Sequence, residues 1–253
     1  MSLVLVTGAT GEVARGVLPL LEEQFALRLL ALDPPGEDPR RVQADLLDWP
    51  ALHRAMEGVG AVLHLAVAPG HPGTYEDDDF NDRRFDVNVK GTFHVFEAAR
   101  RAGVRRVVHV SSLMVVWGYG SSGPVPGDAP PRPVGTYALT KALAEQVAEH
   151  YARGGMEVAV LRIAAPFDPA DPDLKSRPIR PQQVPFPDLA QAFARALTVP
   201  LRGFQVVTVV GESSRRIWDL TPARRVLGYE PTVRLDDLGV TFAEPFDVPP
   251  GGG

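Results

Sequence analysis

Along the chain, apolar residues gather in short β-rich runs at 3–7, 27–33, 41–44, 61–66, 104–111, 158–163 and 204–210. Runs that stay apolar at consecutive positions are strands buried on both faces, the mark of a parallel sheet. Between them the apolar positions fall at helical spacing, near 14–24, 49–56, 84–102, 137–153, 188–198 and 221–227. In the last of these helices Thr221 stands as the cap and Pro222 in the first turn. Strand and helix alternate, so the expected fold class is doubly wound α/β. Three long stretches, 69–82, 118–136 and 167–187, follow strands at their carboxyl ends, where open α/β sheets bind ligands. Residues 249–253 are expected to fray.

Composition narrows the function. A chain of 253 residues suits one large domain or one domain with a small appendage, and the absence of cysteine excludes a disulfide scaffold and thiolate chemistry. Net charge is −5, so no broad basic surface is expected for a nucleic acid. The apolar runs are strand-sized rather than membrane-spanning, and the first of them enters a glycine-rich turn directly, unlike a signal peptide. The expectation is a soluble cytoplasmic protein. His53, His64, His71, His94, His109 and His150 are scattered without metal-ligand spacing, so no metal site is expected. The acidic cluster of Glu76, Asp77, Asp78, Asp79 and Asp82 lacks the alternating ligands and glycine of a calcium loop and reads as solvated loop.

Residues 7–16 read TGATGEVARG between the first strand and the first helix, placing Gly8 and Gly11 where backbone must turn tightly and approach a ligand. The helix starting there offers unpaired N–H groups to a pyrophosphate. Asp33 ends the second strand, where a carboxylate accepts hydrogen bonds from an adenosine ribose; otherwise it opens a turn. As a ribose ligand it favours NAD, because it would repel a 2′-phosphate. Asp45, past the third strand, either meets adenine or caps a turn.

Tyr137 and Lys141 lie four apart at the start of a helix and share a face, after a serine pair at a strand end and a Pro/Gly loop. An ammonium near a phenol favours its ionised form and suits it to acid–base work on a hydroxyl.

These motifs, with HLA at 64–66, NVKGT at 88–92, VVHVSS at 107–112, YALTK at 137–141 and LRIAAPF at 161–167, resemble the extended short-chain dehydrogenase/reductases of the NAD-dependent epimerase/dehydratase family. The resemblance implies a Rossmann-type core over 1–166 and a small substrate-binding region over 167–248, whose last strand and helices return to the core. It implies NAD held by Gly8, Thr10, Gly11, Glu12 and Val13, then by Asp33, Asp45 and Leu46, and by Leu65, Ala66 and Lys141. Tyr137 is then the acid/base and Lys141 its electrostatic partner and ribose ligand, while Asn88 is a structural residue. Homodimerisation through 84–102 and 137–153 is also implied.

One departure bears on the chemistry. Many family members place a third Ser or Thr after the serine pair to bond the substrate oxygen; here that position is Leu113. Ser112 is the expected replacement, with Ser111 as the fallback. Met114 and Val115 stand where 4,6-dehydratases carry an Asp-Glu pair, which disfavours dehydration. The chain length and the stretch 213–231 are similar to uronate dehydrogenases, although Ala164 and Ala165 replace small polar residues of that group. The expected substrate is therefore a small sugar or sugar acid. Lys175, Arg177 or Arg180 either pairs with its carboxylate or faces solvent. Trp117 and Tyr119 either wall the pocket or anchor packing. Dehydrogenase and epimerase share the first step. The alternatives are a non-catalytic NAD(P)-binding regulator and an NADPH-dependent carbonyl reductase.

Overall fold

The structure is a computed structural model that describes residues 3–33, 36–70, 73–120 and 124–245. The tail expected to fray, at 249–253, lies outside the described residues. The strands are β1 (Leu3–Thr7), β2 (Ala26–Ala31), β3 (Arg41–Gln43), β4 (Val59–His64), β5 (Arg106–Ser112), β6 (Glu157–Ile163), β7 (Pro166–Phe167), β8 (Val184–Pro185) and β9 (Phe204–Val209). Each of the seven apolar runs becomes a strand of one sheet of order β3-β2-β1-β4-β5-β6-β9, and β7 pairs with β8 beside it. Every neighbouring pair in the large sheet is parallel. The fold is Rossmann-like α/β. From β1 the chain steps outward through β2 and β3, then crosses back to place β4 on the other edge of β1. That reversal opens a crevice at the carboxyl ends of β1 and β4.

Seven α-helices are described: α1 (Glu12–Leu21), α2 (Trp49–Ala55), α3 (Asp78–Arg84), α4 (Thr92–Arg101), α5 (Thr136–Arg153), α6 (Phe186–Thr198) and α7 (Thr221–Leu227). The two-residue period of a strand divides the core between the two faces of the sheet. Val4 and Val6 pack with Val17 of α1 and Phe193 of α6, whereas Leu5 packs with Leu52 of α2, Phe96 of α4 and Ala148 of α5. α1 can lie close to α6 because a Cβ on Gly16 would fall 2.2 Å from the Phe186 ring.

Three local expectations change. The helix read as 84–102 begins earlier, at Asp78, so Asp78, Asp79 and Asp82 are helical rather than loop. Asp78 and Asp79 sit in the first turn of α3, where negative charge meets the positive end of the helix dipole. Between α3 and α4 the chain widens into a π-helical turn at Phe85–Gly91; a single extra residue per turn leaves no apolar signature. Thr221 is the first residue of α7 and not its cap: its N–H and hydroxyl both donate to the Asp219 carboxylate, at 2.9 and 2.7 Å.

Beneath the carboxyl ends of β5 and β6 lies a buried ion pair. Arg162 on β6 grips Glu145 of α5 with two hydrogen bonds of 2.9 and 2.6 Å, and each side chain is 2% exposed. Arg162 also donates to the Ala129 carbonyl at 2.5 Å, and Ser111 donates to Glu145 at 2.6 Å. A charge pair this deep is sound only while every member keeps its partner. Arg162→Met strands the Glu145 carboxylate and is expected to cost about 3–5 kcal/mol of stability, measured by urea unfolding. A loss under about 1 kcal/mol would show that the pair does not brace α5 against the sheet.

Candidate active site

The turn between β1 and α1 is shaped by Gly8, at φ +70°, where a Cβ would fall 2.6 Å from Ala66 Cα. No side chain but hydrogen could occupy that position. Gly11 caps α1 in extended geometry without a side-chain hydrogen bond, and its N–H donates to the Gly8 carbonyl at 3.0 Å. The first-turn amides of α1 at Glu12 and Val13 therefore meet the crevice without a competing cap, as a pyrophosphate requires. Thr10 donates its hydroxyl to Asp33 at 2.7 Å, so the carboxylate at the end of β2 is oriented beside this turn. On the neighbouring strands, Asp45 is exposed and accepts from Leu47 N, while Leu46 is buried against Gly91. Leu65 and Ala66 follow β4 directly, their amides reaching Thr7 at 3.2 and 3.4 Å.

His64 holds this floor together. Thr92 donates its hydroxyl to the Asn88 carbonyl at 2.6 Å, so it accepts from His64 Nε2 at 2.9 Å. That leaves His64 Nδ1 to accept from the Thr7 hydroxyl at 2.7 Å. Burial pulls the imidazole down to about 3, so it stays neutral in this relay. Asn88, in the π-helical turn, accepts from Ala68 N at 2.8 Å and donates to Thr140 of α5 at 3.0 Å, tying the crevice to the helix that carries Tyr137.

Beyond the glycine turn, a cleft of about 280 Å³ is lined by Tyr137, Lys141, Ser111, Ser112, Leu113 and Met114 among others, with Val13 of α1 and Leu65 after β4 also in its lining. Ser112 ends β5; its Oγ accepts from Met114 N at 3.2 Å and is hydrogen bonded to Tyr137. Ser111 also lines the cleft, but its hydroxyl is turned to Glu145. Lys141 is 4% exposed and donates from Nζ to the Val110 carbonyl at 2.7 Å. Burial lowers its ammonium to about 8, with the Glu145 carboxylate one turn along α5 holding it up. Burial pushes the Tyr137 phenol above 10, and the Ser112 hydrogen bond and the positive charge of Arg84 draw it back. Residue spacing put the helpful cation at Lys141 alone; the structure adds Arg84.

The segment 4–183 matches the NAD dependent epimerase/dehydratase family. The chain belongs to this family. It is accordingly an NAD-dependent enzyme. It is 32% identical to a uronate dehydrogenase of Pseudomonas syringae pv. tomato, over 85% of this chain and 77% of that one. It is 29% identical to an L-arabinose 1-dehydrogenase (NAD(P)(+)) of Haloferax volcanii, over 91% and 96%. The crystal structure of uronate dehydrogenase from Agrobacterium tumefaciens overlays with a TM-score of 0.78 at 26% identity, covering 94% of this chain and 86% of that one.

Within the family frame, the remaining candidates separate by position. Arg180 lines the cleft, whereas Lys175 and Arg177 are exposed and outside its lining. Leu113 is buried in the cleft wall. Trp117 does both things foreseen for it, lining the cleft and stacking on Trp218 at 6.1 Å; Tyr119 packs against the core under the Arg132 guanidinium at 4.9 Å. Residue reading missed Arg84, Glu76, Gln182 and Gln183. Only the aromatic residues near Arg84 in sequence, Tyr75 and Phe80, hinted that a cation could be sheltered there. No helix among the described residues is long and apolar enough to cross a membrane. Gly8→Ala forces a clash with Ala66 and is expected to weaken NAD binding by at least ~10-fold in calorimetric titration. Unchanged affinity would remove the β1–α1 turn from the cofactor site.

Proposed function

We propose that the protein is a dehydrogenase that oxidises a hydroxyl of a small sugar acid, with Tyr137 as the base. The observation that carries this reading is the joint placement of Tyr137, Ser112 and Lys141 in one cleft that adjoins the β1–α1 turn. Uronate dehydrogenase relatives over most of the chain support the substrate class.

The residues present suit NAD: Gly8 leaves room for close backbone approach, the start of α1 is uncapped, and Asp33 is oriented for a ribose. Bound there, NAD supplies an acceptor for hydride. Ser112, whose Oγ accepts from Met114 N, exchanges its hydrogen bond with Tyr137 for one donated to the substrate oxygen. Tyr137 takes the proton from the substrate hydroxyl as the carbon-bound hydrogen leaves with its electron pair. Lys141, anchored on Val110, keeps positive charge under the phenolate and reaches the ribose. Leu113, Met114 and Trp117 exclude water from the reacting groups. Arg180, in the cleft lining, offers a planar fork to the substrate carboxylate. No carboxylate lines the cleft among the described residues, so the proton movements of a dehydratase have no carrier there.

A second copy of the chain completes the assembly we propose. Phe85, Phe93 and Leu139 stand 41%, 44% and 41% exposed on the π-helical turn, α4 and α5, an apolar face that two copies would bury as a four-helix bundle.

Tyr137→Phe is expected to lower kcat for uronate oxidation by about 10²–10⁴-fold while NAD affinity holds; near-normal turnover would refute the base assignment. Arg180→Ala is expected to raise KM for a hexuronic acid at least ~10-fold more than for the neutral sugar. Equal effects on both would take the carboxylate away from Arg180. Light scattering is expected to report a dimer that Phe93→Asp with Leu139→Asp splits, and a monomeric wild type would contradict the assembly.

A further inference from the structure

Arg84 closes α3 and is 1% exposed, and its ion pair with Glu76 is a long one of 3.9 Å. Its guanidinium lies over the rings of Tyr75 at 4.1 Å, Phe80 at 4.0 Å and Tyr137 at 5.8 Å. It donates to the Tyr75 carbonyl at 2.6 Å and to Asn81 Oδ1 at 2.9 Å. The nearest acid, Glu76, is 3.9 Å away and is engaged elsewhere. Its Oε1 accepts from Thr136 N at 3.3 Å, and its Oε2 accepts from Asn81 at 3.2 Å. Thr136 opens α5, whose preceding residue, Gly135, offers no side-chain cap. Glu76 thus caps from a distant segment the helix on which Tyr137 is the second residue.

Packing alone does not call for this arrangement. A space between three aromatic rings is filled at less cost by an apolar side chain, because burying a guanidinium against a single long ion pair, to a carboxylate shared with Thr136 and Asn81, is unfavourable. What the cation gains is the negative faces of the rings; what Tyr137 gains is a fixed positive charge 5.8 Å from its ring centroid. We propose that Arg84 is a positioning residue for the reaction, setting the charge around the Tyr137 phenol and, through Glu76 and Asn81, the seat of the first turn of α5. The inference rests on Tyr137 being the base.

The charged and titratable groups around the phenol come from every neighbouring element. Lys141 lies on its own helix, Ser112 at the end of β5, Tyr75 and Glu76 on the segment before α3, Arg84 at the end of α3, and Arg180 across the cleft. The rings of Tyr75 and Tyr137 meet edge to face at 6.4 Å, and Tyr75 is itself pushed up to about 12 by burial, so it stays a neutral phenol. Of these groups, Arg84 is the cation whose charge pulls the Tyr137 phenol down. Removing it takes away a positive charge that opposes the effect of burial, and the phenol ionises at higher pH.

The test reads Tyr137 directly, without turnover. Phenolate absorbance is titrated in the whole protein and in Tyr137→Phe, and the difference isolates one of the 5 tyrosines. The pair is then repeated in Arg84→Met and Arg84→Lys backgrounds. Arg84→Met is expected to raise the Tyr137 midpoint by about one unit or more, with Arg84→Lys restoring most of it. The ascending limb of the kcat/KM profile for oxidation is expected to move by the same amount. Glu76→Gln keeps the cap while removing the negative charge, and it is expected to lower the midpoint; it decides the matter should Arg84→Met not fold. A midpoint that stays put in Arg84→Met, or in Glu76→Gln if the first variant is not folded, overturns the role of Arg84 while leaving Tyr137 as base. Full turnover in Tyr137→Phe instead overturns the base assignment, and the role of Arg84 with it.

Discussion

The Tyr137 phenol loses water on entering the cleft, and that loss holds its ionisation above the ordinary value of 10. An acid–base group in such a place works only where fixed dipoles and charges return what water gave. Much of the structure around it serves that need. Lys141 is lowered to about 8 by the same burial, is anchored on the Val110 carbonyl and is supported from below by Glu145. Arg162 and Ser111 in turn meet the oxygens of Glu145. The sheet thus holds the helix, the helix holds the lysine, and the lysine and Ser112 frame the phenol.

The parallel sheet was legible because a strand buried on both faces is apolar at consecutive positions, although Leu113–Trp117 is as apolar and turns into a 3-10 helix, and the edge strand β3 is largely exposed. The β1–α1 turn was legible because φ +70° at Gly8 and the close approach of Ala66 leave glycine as the residue that fits. Other features depend on contacts between distant segments and leave no local trace. Ser111 and Ser112 look interchangeable as letters, yet strand alternation sends one hydroxyl to Glu145 and sets the other against Tyr137. Glu76 reads as one more acid in an acidic stretch, and its task is visible only once Thr136 lies beside it. The π-helical turn carries Asn88, which accepts from Ala68 N on another segment, and no periodicity encodes either.

The substrate class we propose fits the far wall of the cleft. Leu113, Met114, Trp117, Ala164, Ala165 and Pro166 present apolar surface, while Gln182 gives its amide to the Pro245 carbonyl and Gln183 accepts from the Arg180 amide. In the function proposed above, polar contact with the substrate is made at two ends, the Ser112–Tyr137 pair and the Arg180 guanidinium, with Gln182 Oε1 between the apolar walls. That division favours a molecule with a reacting hydroxyl at one end and an anion at the other.

A crystal structure of the protein with NAD and a non-reacting uronic acid analogue tests the central claim most directly. The expected result is the Tyr137 oxygen within about 3 Å of the analogue's reacting oxygen, on the same side as Ser112, with the nicotinamide ring against Val13 and Leu65. A nicotinamide or analogue seated away from Tyr137, with Ser112 and the phenol bonded only to each other, would contradict it.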